Sequence, residues 1–134
     1  MKTRSGNYSI GFRMRGWTSN VSFADVLAWT SEVGLGGVDI GNDADQIGQQ
    51  VLDAGLWIGS ADLAEWHGMI SANSATRGAA VEKNKAYIEA CARYGPMNYF
   101  LVMLPEDTDI PRADSFGYMA ESFTALAPVL EANN

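Results

Sequence analysis

The chain has 134 residues, of which 47% are hydrophobic and 19% charged. That is one domain's length, with enough apolar surface to offset the entropy of ordering, which excludes disorder over most of it. The net charge of −7 excludes a general nucleic-acid binder, because acidic surface repels phosphate backbones and no Lys/Arg run breaks the balance.

A single cysteine, Cys91, excludes an intramolecular disulfide and fits a reducing compartment. The opening stretch Met1 to Phe12 has two early basic residues but no apolar h-region after them, so it does not read as a signal peptide. No apolar run reaches the ~18 residues of a membrane span. These features predict a cytoplasmic protein with no membrane contact.

Residues 1–7 are polar and are expected to be loose. In Ser9 to Arg15, Ile10, Phe12 and Met14 alternate with Arg13 and Arg15, the period of a strand with one apolar face. Ser22 is placed to cap a helix, with Asp25 in its first turn. Phe23, Val26, Leu27, Thr30 and Val33 form its stripe, and Gly34 stops it. Gly36 to Gly41 reads as a second strand. Asp43 with Gln46 reads as a capping-box variant opening a helix with Ile47, Val51 and Ala54 on one face; Gly55 closes it.

Leu56 to Leu63 reads as the third strand, followed by a loop to Ser74. A long helix is predicted from Ala75 to Tyr94, with Arg77 (by its stem), Val81, Asn84, Ile88 and Cys91 on the buried stripe and Gly95-Pro96 as its end. Asn98 to Leu104 is almost wholly apolar, which predicts a strand buried on both faces. The last helix is expected from near Asp114 or Ser115, with Phe116, Met119, Phe123, Leu126 and Leu130 on one face. Pro128 should kink or shorten it.

The order β-α-β-α-β-α-β-α predicts an α/β fold with parallel strands and right-handed crossovers. No G-x-G-x-x-G follows the first strand and no P-loop is present, which argues against an open nucleotide-binding sheet. Eight such units would span about 250 residues, the size of a (β/α)8 TIM barrel. The expectation is therefore the first four β-α units of such a barrel, residues 1–134 forming a partial barrel that ends before strand five.

Several segments, in their order and spacing, carry a resemblance. They are Ile10-Gly-Phe-Arg with Gly16-Trp17, Val33 to Ile40, Asp62-Leu63-x-Glu65-Trp66-x-Gly68, Ala79 to Cys91, Val102 to Asp107, and Phe116-Gly117-Tyr118-Met119. Together they resemble the sugar phosphate isomerase/epimerase family, the xylose isomerase-like TIM barrels, over about residues 9–132. The resemblance implies an isomerase or epimerase of carbohydrate metabolism, acting on a small-molecule sugar or sugar phosphate. It also implies a divalent metal (Mn, Mg, Zn or Co), held in such enzymes by a Glu, Asp, His, Glu set from strands five to eight. The chain as read lacks those strands, so no catalytic or metal residue is assigned within it, and the isolated chain is expected to be inactive.

Barrel active sites lie at the C-terminal ends of the strands. That rule selects Arg13, Arg15 and Trp17 after strand one, and Asp39 and Asn42 at strand two. It also selects Asp62, Glu65 and His67 after strand three, and Glu106 and Asp107 after strand four. Arg13, Arg15, Trp17, Asp39, Glu65, His67 and Glu106 are the candidate substrate contacts. Arginine forks suit substrate oxygens, but Arg13 or Arg15 could equally form a buried ion pair with Asp39. Trp17 could pack on a sugar ring or cover the barrel mouth. His67, the only histidine, could move a proton or be a surface loop residue; it lacks the ligand spacing of a metal site. Glu82, Lys83, Lys85 and Glu89 read as a solvated face, and Cys91 as a buried structural thiol. A second reading is a self-standing half-barrel binding or assembly module. Its strand edges would need a partner, either a second copy in a homodimer or the missing C-terminal half.

Overall fold

The computed structural model describes residues 1–4, 6–13 and 20–133. Arg15 and Trp17, two of the candidate contacts, lie outside the described residues. The elements are β1 (Gly11–Arg13), α1 (Phe23–Glu32), β2 (Gly37–Ile40), α2 (Ala44–Asp53), β3 (Trp57–Asp62), α3 (Ser74–Cys91), β4 (Asn98–Phe100) and α4 (Arg112–Ala132). A 3-10 turn, His67–Ile70, precedes α3, and another, Ala92–Tyr94, follows it. This is an α/β chain with four parallel strands in one sheet, ordered β1-β2-β3-β4. The chain forms two compact units, Met1–Asp62 with Met97–Tyr99, and Leu63–Pro96 with Phe100–Asn134.

In the first unit, the residues expected to be loose fold back instead. Lys2 pairs with Ser9 in an antiparallel bridge, helped by Asn7, whose positive φ of 56° suits an asparagine turn. Ser22 caps α1 as expected, its Oγ accepting from the Asp25 N–H at 3.1 Å. Val26, Leu27 and Thr30 are buried, and Gly34 takes the left-handed conformation that ends the helix. The capping box at Asp43 is not formed: Asp43 is the N-cap of α2 but its side chain caps no N–H. Its carboxylate folds back instead, and a Cβ at Gly41 would stand 3.3 Å from Asp43 Oδ1.

The sheet has two unlike faces. Val38, Ile40, Ile58 and Ala61 are buried and fall, with Phe12, on one side of the pleat. Phe12 meets Trp29 of α1 edge to face, with ring centroids 5.4 Å apart, so this is the helix-covered side. The register pairs Arg13 with Asp39, then Val38 with Ile58 and Ile40 with Ala61. Two steps along β2 therefore match three along β3, a bulge at Gly59-Ser60. Because strand side chains alternate, one extra residue moves everything after it to the opposite face. Without the bulge Asp62 would point to the apolar side; with it, Asp62 joins Arg13 and Asp39.

In the second unit α3 and α4 pack on each other and on the His67–Ile70 turn. The expected stripe of α3 is present, with Val81, Asn84, Ile88 and Cys91 buried. Asn73 caps it, its Oδ1 accepting from the Ala75 and Thr76 N–H groups. Three expectations are corrected. First, β4 is not a long strand buried on both faces. It pairs only over Asn98–Phe100, and Phe100, Val102 and Leu104 alternate outward, 43%, 49% and 58% exposed. Second, the loop between β3 and α3 holds a helical turn whose Gly68, Met69 and Ile70 are buried. Third, Pro128 does not shorten α4, which runs through it to Ala132; the carbonyl four residues back loses one donor, and the helix continues on its neighbours' bonds. Met69 is tied to α4 by the buried Ser122 hydroxyl, which donates to the Met69 carbonyl at 2.6 Å.

Candidate functional site

The first unit places four side chains, an arginine, two aspartates and a tryptophan, on the polar face of the sheet. Arg13 ends β1 and Asp62 ends β3, and Arg13 Nη2 donates to Asp62 Oδ1 at 2.6 Å. The side chains are 30% and 34% exposed, so the pair is neither dry nor fully solvated. Arg13 thus pairs with Asp62 in place of Asp39; the alternative pair of Asp39 with Arg15 lies outside the described residues. Arg13 and Asp39 are register neighbours, yet the long arginine stem passes β2 and reaches the strand beyond, where the bulge has turned a carboxylate to meet it. The carboxylate of Asp39, half-buried in β2, has neither an ion pair nor a hydrogen bond among the described residues. It sits where a side chain at Gly59 would have to be.

The fourth member is Trp57, which was not among the residues selected from the sequence. A Cβ at Gly37 or Gly59 would run into its ring, and one at Gly36 would meet its indole nitrogen. The indole therefore lies along a floor of glycines on the same face as Asp39, and it is 46% exposed. The signal was present but indirect: glycines stand opposite and beside a tryptophan in neighbouring strands, and their missing side chains create a shelf.

The second unit holds the remaining candidates. Glu65 is fixed by its surroundings. Asn84, fully buried in α3, accepts from the Glu65 N–H at 2.9 Å and donates to the Glu65 carbonyl at 2.6 Å. The Glu65 side chain accepts from Lys83 Nζ at 3.3 Å and from the His67 N–H at 3.1 Å. Burial pushes its carboxyl up, but the Lys83 ammonium and the Gly68 and His67 N–H groups outweigh that and hold it below its usual value. His67 is exposed, with its ring stacked on Trp66 at 3.5 Å between centroids. Glu106, exposed, accepts from the buried Ser71 hydroxyl at 3.0 Å. No hydrogen bond joins Glu106 to Glu65 or His67 among the described residues. Asp107 accepts from the Asp109 N–H at 2.8 Å, which closes its own loop. Asn42 is exposed.

Among the described residues, no group of three or more His, Cys, Asp or Glu side chains converges to hold a metal ion. They offer no such set for the divalent metal that the resemblance implies. No helix of the described residues is long and apolar enough to cross a membrane.

No protein-family model matches the sequence, and no curated protein matches it. Among solved structures, the chain is similar to the apo form of 3-keto-D-glucoside 4-epimerase, YcjR, from E. coli, with a TM-score of 0.69 and 14% sequence identity. The match covers 93% of this chain and 52% of that one. The chain thus has the fold of about half of a sugar epimerase.

Proposed function

We propose that this chain supplies the first four β-α units of a (β/α)8 sugar isomerase or epimerase, and that the polar sheet face bearing Asp39 binds the sugar. The observation that carries the reading is Asp39 itself. A half-buried carboxylate is costly to retain without a partner; Asp39 has none among the described residues, and it lies beside an indole and an arginine–aspartate pair. That set matches the parts of a sugar. Asp39 would accept from ring hydroxyls, the Trp57 indole would cover the apolar side of the ring, and Arg13 would donate to a ring oxygen while Asp62 holds it in place. Arg13, Asp39 and Asp62 together carry one net negative charge, which favours an uncharged sugar over a sugar phosphate at this face. Any divalent metal of the reaction would take its ligands from beyond the described residues.

The similarity to a keto-glucoside epimerase supports a keto-sugar or glycoside as the first ligand to try. Calorimetric titration of the chain with keto-glucosides, glucose and glucose phosphate should show weak binding, strongest for the uncharged sugars. Asp39→Asn should weaken it by about tenfold, the size of one charge-assisted hydrogen bond. Binding unchanged by Asp39→Asn and by Trp57→Ala would remove this face from the site.

A half-barrel assembly module is the second reading, favoured by the exposed apolar row Phe100, Val102 and Leu104. Such a row beside a short-paired strand is a template for association. It predicts concentration-dependent self-association in sedimentation that Val102→Lys with Leu104→Lys abolishes; a monomer at all concentrations would end that reading.

A further inference from the structure

Within the second unit, a cavity of about 540 Å3 opens between the loop after β4, the His67–Ile70 turn and the start of α4. Its size is within the roughly 300–1,000 Å3 of small-molecule sites. Its floor and walls are apolar: Ile70, Met103, Ile110, Phe116 and Met119. Two of these are methionines, whose flexible thioethers adapt to a ligand and favour contact with an aromatic ring. Phe116 is 64% exposed, so an aromatic face is open to pack against.

The polar lining holds no carboxylate. It consists of the Arg112 guanidinium and the Thr108 and Ser115 hydroxyls. Arg112 has no ion pair or hydrogen bond among the described residues, although carboxylates crowd its own loop. Those carboxylates do not line the cavity: Glu106 is turned to Ser71 and Asp107 to the Asp109 N–H. An unpaired guanidinium with two hydroxyls at the edge of an apolar, methionine-rich cavity is complementary to a ligand with an aromatic body and one carboxylate.

We propose that this cavity is a binding site for a small aryl carboxylate. It is separate from the sugar-binding reading and does not depend on it. The ring occupies the space between Met103, Met119 and Phe116, and the carboxylate meets Arg112.

The test is calorimetric titration of the chain with phenylacetate and, as the uncharged counterpart, phenethyl alcohol. Phenylacetate should bind at least tenfold more tightly than the alcohol. Arg112→Gln should erase that difference and leave alcohol binding unchanged. Arg93→Gln, which removes a positive charge at the far end of α3, should leave phenylacetate binding intact. Arg112 lies on the surface, so its substitution leaves the fold standing, and a melt identical to wild type checks this. Absence of phenylacetate binding, equal affinity for acid and alcohol, or equal loss in Arg93→Gln and Arg112→Gln would each overturn the proposal.

Discussion

Glu65, a candidate substrate contact in the sequence, is held by its own neighbours in the structure. Its backbone is held on both sides by the Asn84 amide, and its carboxylate is held below its usual pKa chiefly by Lys83 against the opposing effect of burial. A depressed carboxylate contributes stability that is present above its unfolded pKa and lost as pH falls through the folded one. The chain should therefore lose this contribution below about pH 4.3, the ordinary glutamate value. Lys83→Met should destabilise the fold slightly at neutral pH, by well under ~1 kcal/mol because Lys83 is largely exposed. The difference from wild type should vanish in acid. A Lys83→Met deficit that grew as pH fell would contradict this account. Asp39 is the opposite case. The sequence marks it as a charge interrupting an apolar strand, which predicts a partner, and among the described residues it has none.

At the scale of elements, the β3 bulge determines the site. Inserting one residue between Ala61 and Asp62 would turn Asp62 to the helix-covered side, where Ile40 and Ala61 are buried. An unpaired carboxylate there costs several kcal/mol. The insertion should therefore melt far lower than Asp62→Asn, which leaves the register intact and loses only about 1–2 kcal/mol from a part-buried pair. Equal stability of the two variants would mean that the residue count along β3 does not set which face Asp62 occupies. None of this is visible in the sequence, because Gly59-Ser60 sits in an unbroken strand pattern and a bulge is a relation between two strands. Helix positions were more legible. The Ser22 cap, the Gly34 stop and the α3 stripe follow from local chemistry, which needs no knowledge of neighbours. Where neighbours decide, local reading failed. Leu101 to Leu104 has strand composition, but β4 stops pairing at Phe100. Pro128 is a helix breaker, but α4 continues past it.

For the whole molecule, the alternation of strands and helices was enough to anticipate an α/β chain with a parallel sheet, and the similarity to about half of a sugar epimerase agrees with that order. The site was only partly legible. Arg13, Asp39 and Asp62 could be selected because strand ends carry function in such folds, whereas Trp57 could not, since the glycines that make room for it lie in β2 as well as β3. The central claim is that these four residues form one sugar-binding face. It is tested most directly by recording the Trp57 indole N–H resonance, assigned through Trp57→Phe, while an uncharged keto-sugar is added. The account predicts a saturable shift of that resonance, abolished in Asp39→Asn. A Trp57 signal that stays fixed while other resonances report sugar binding would place the site elsewhere and contradict it.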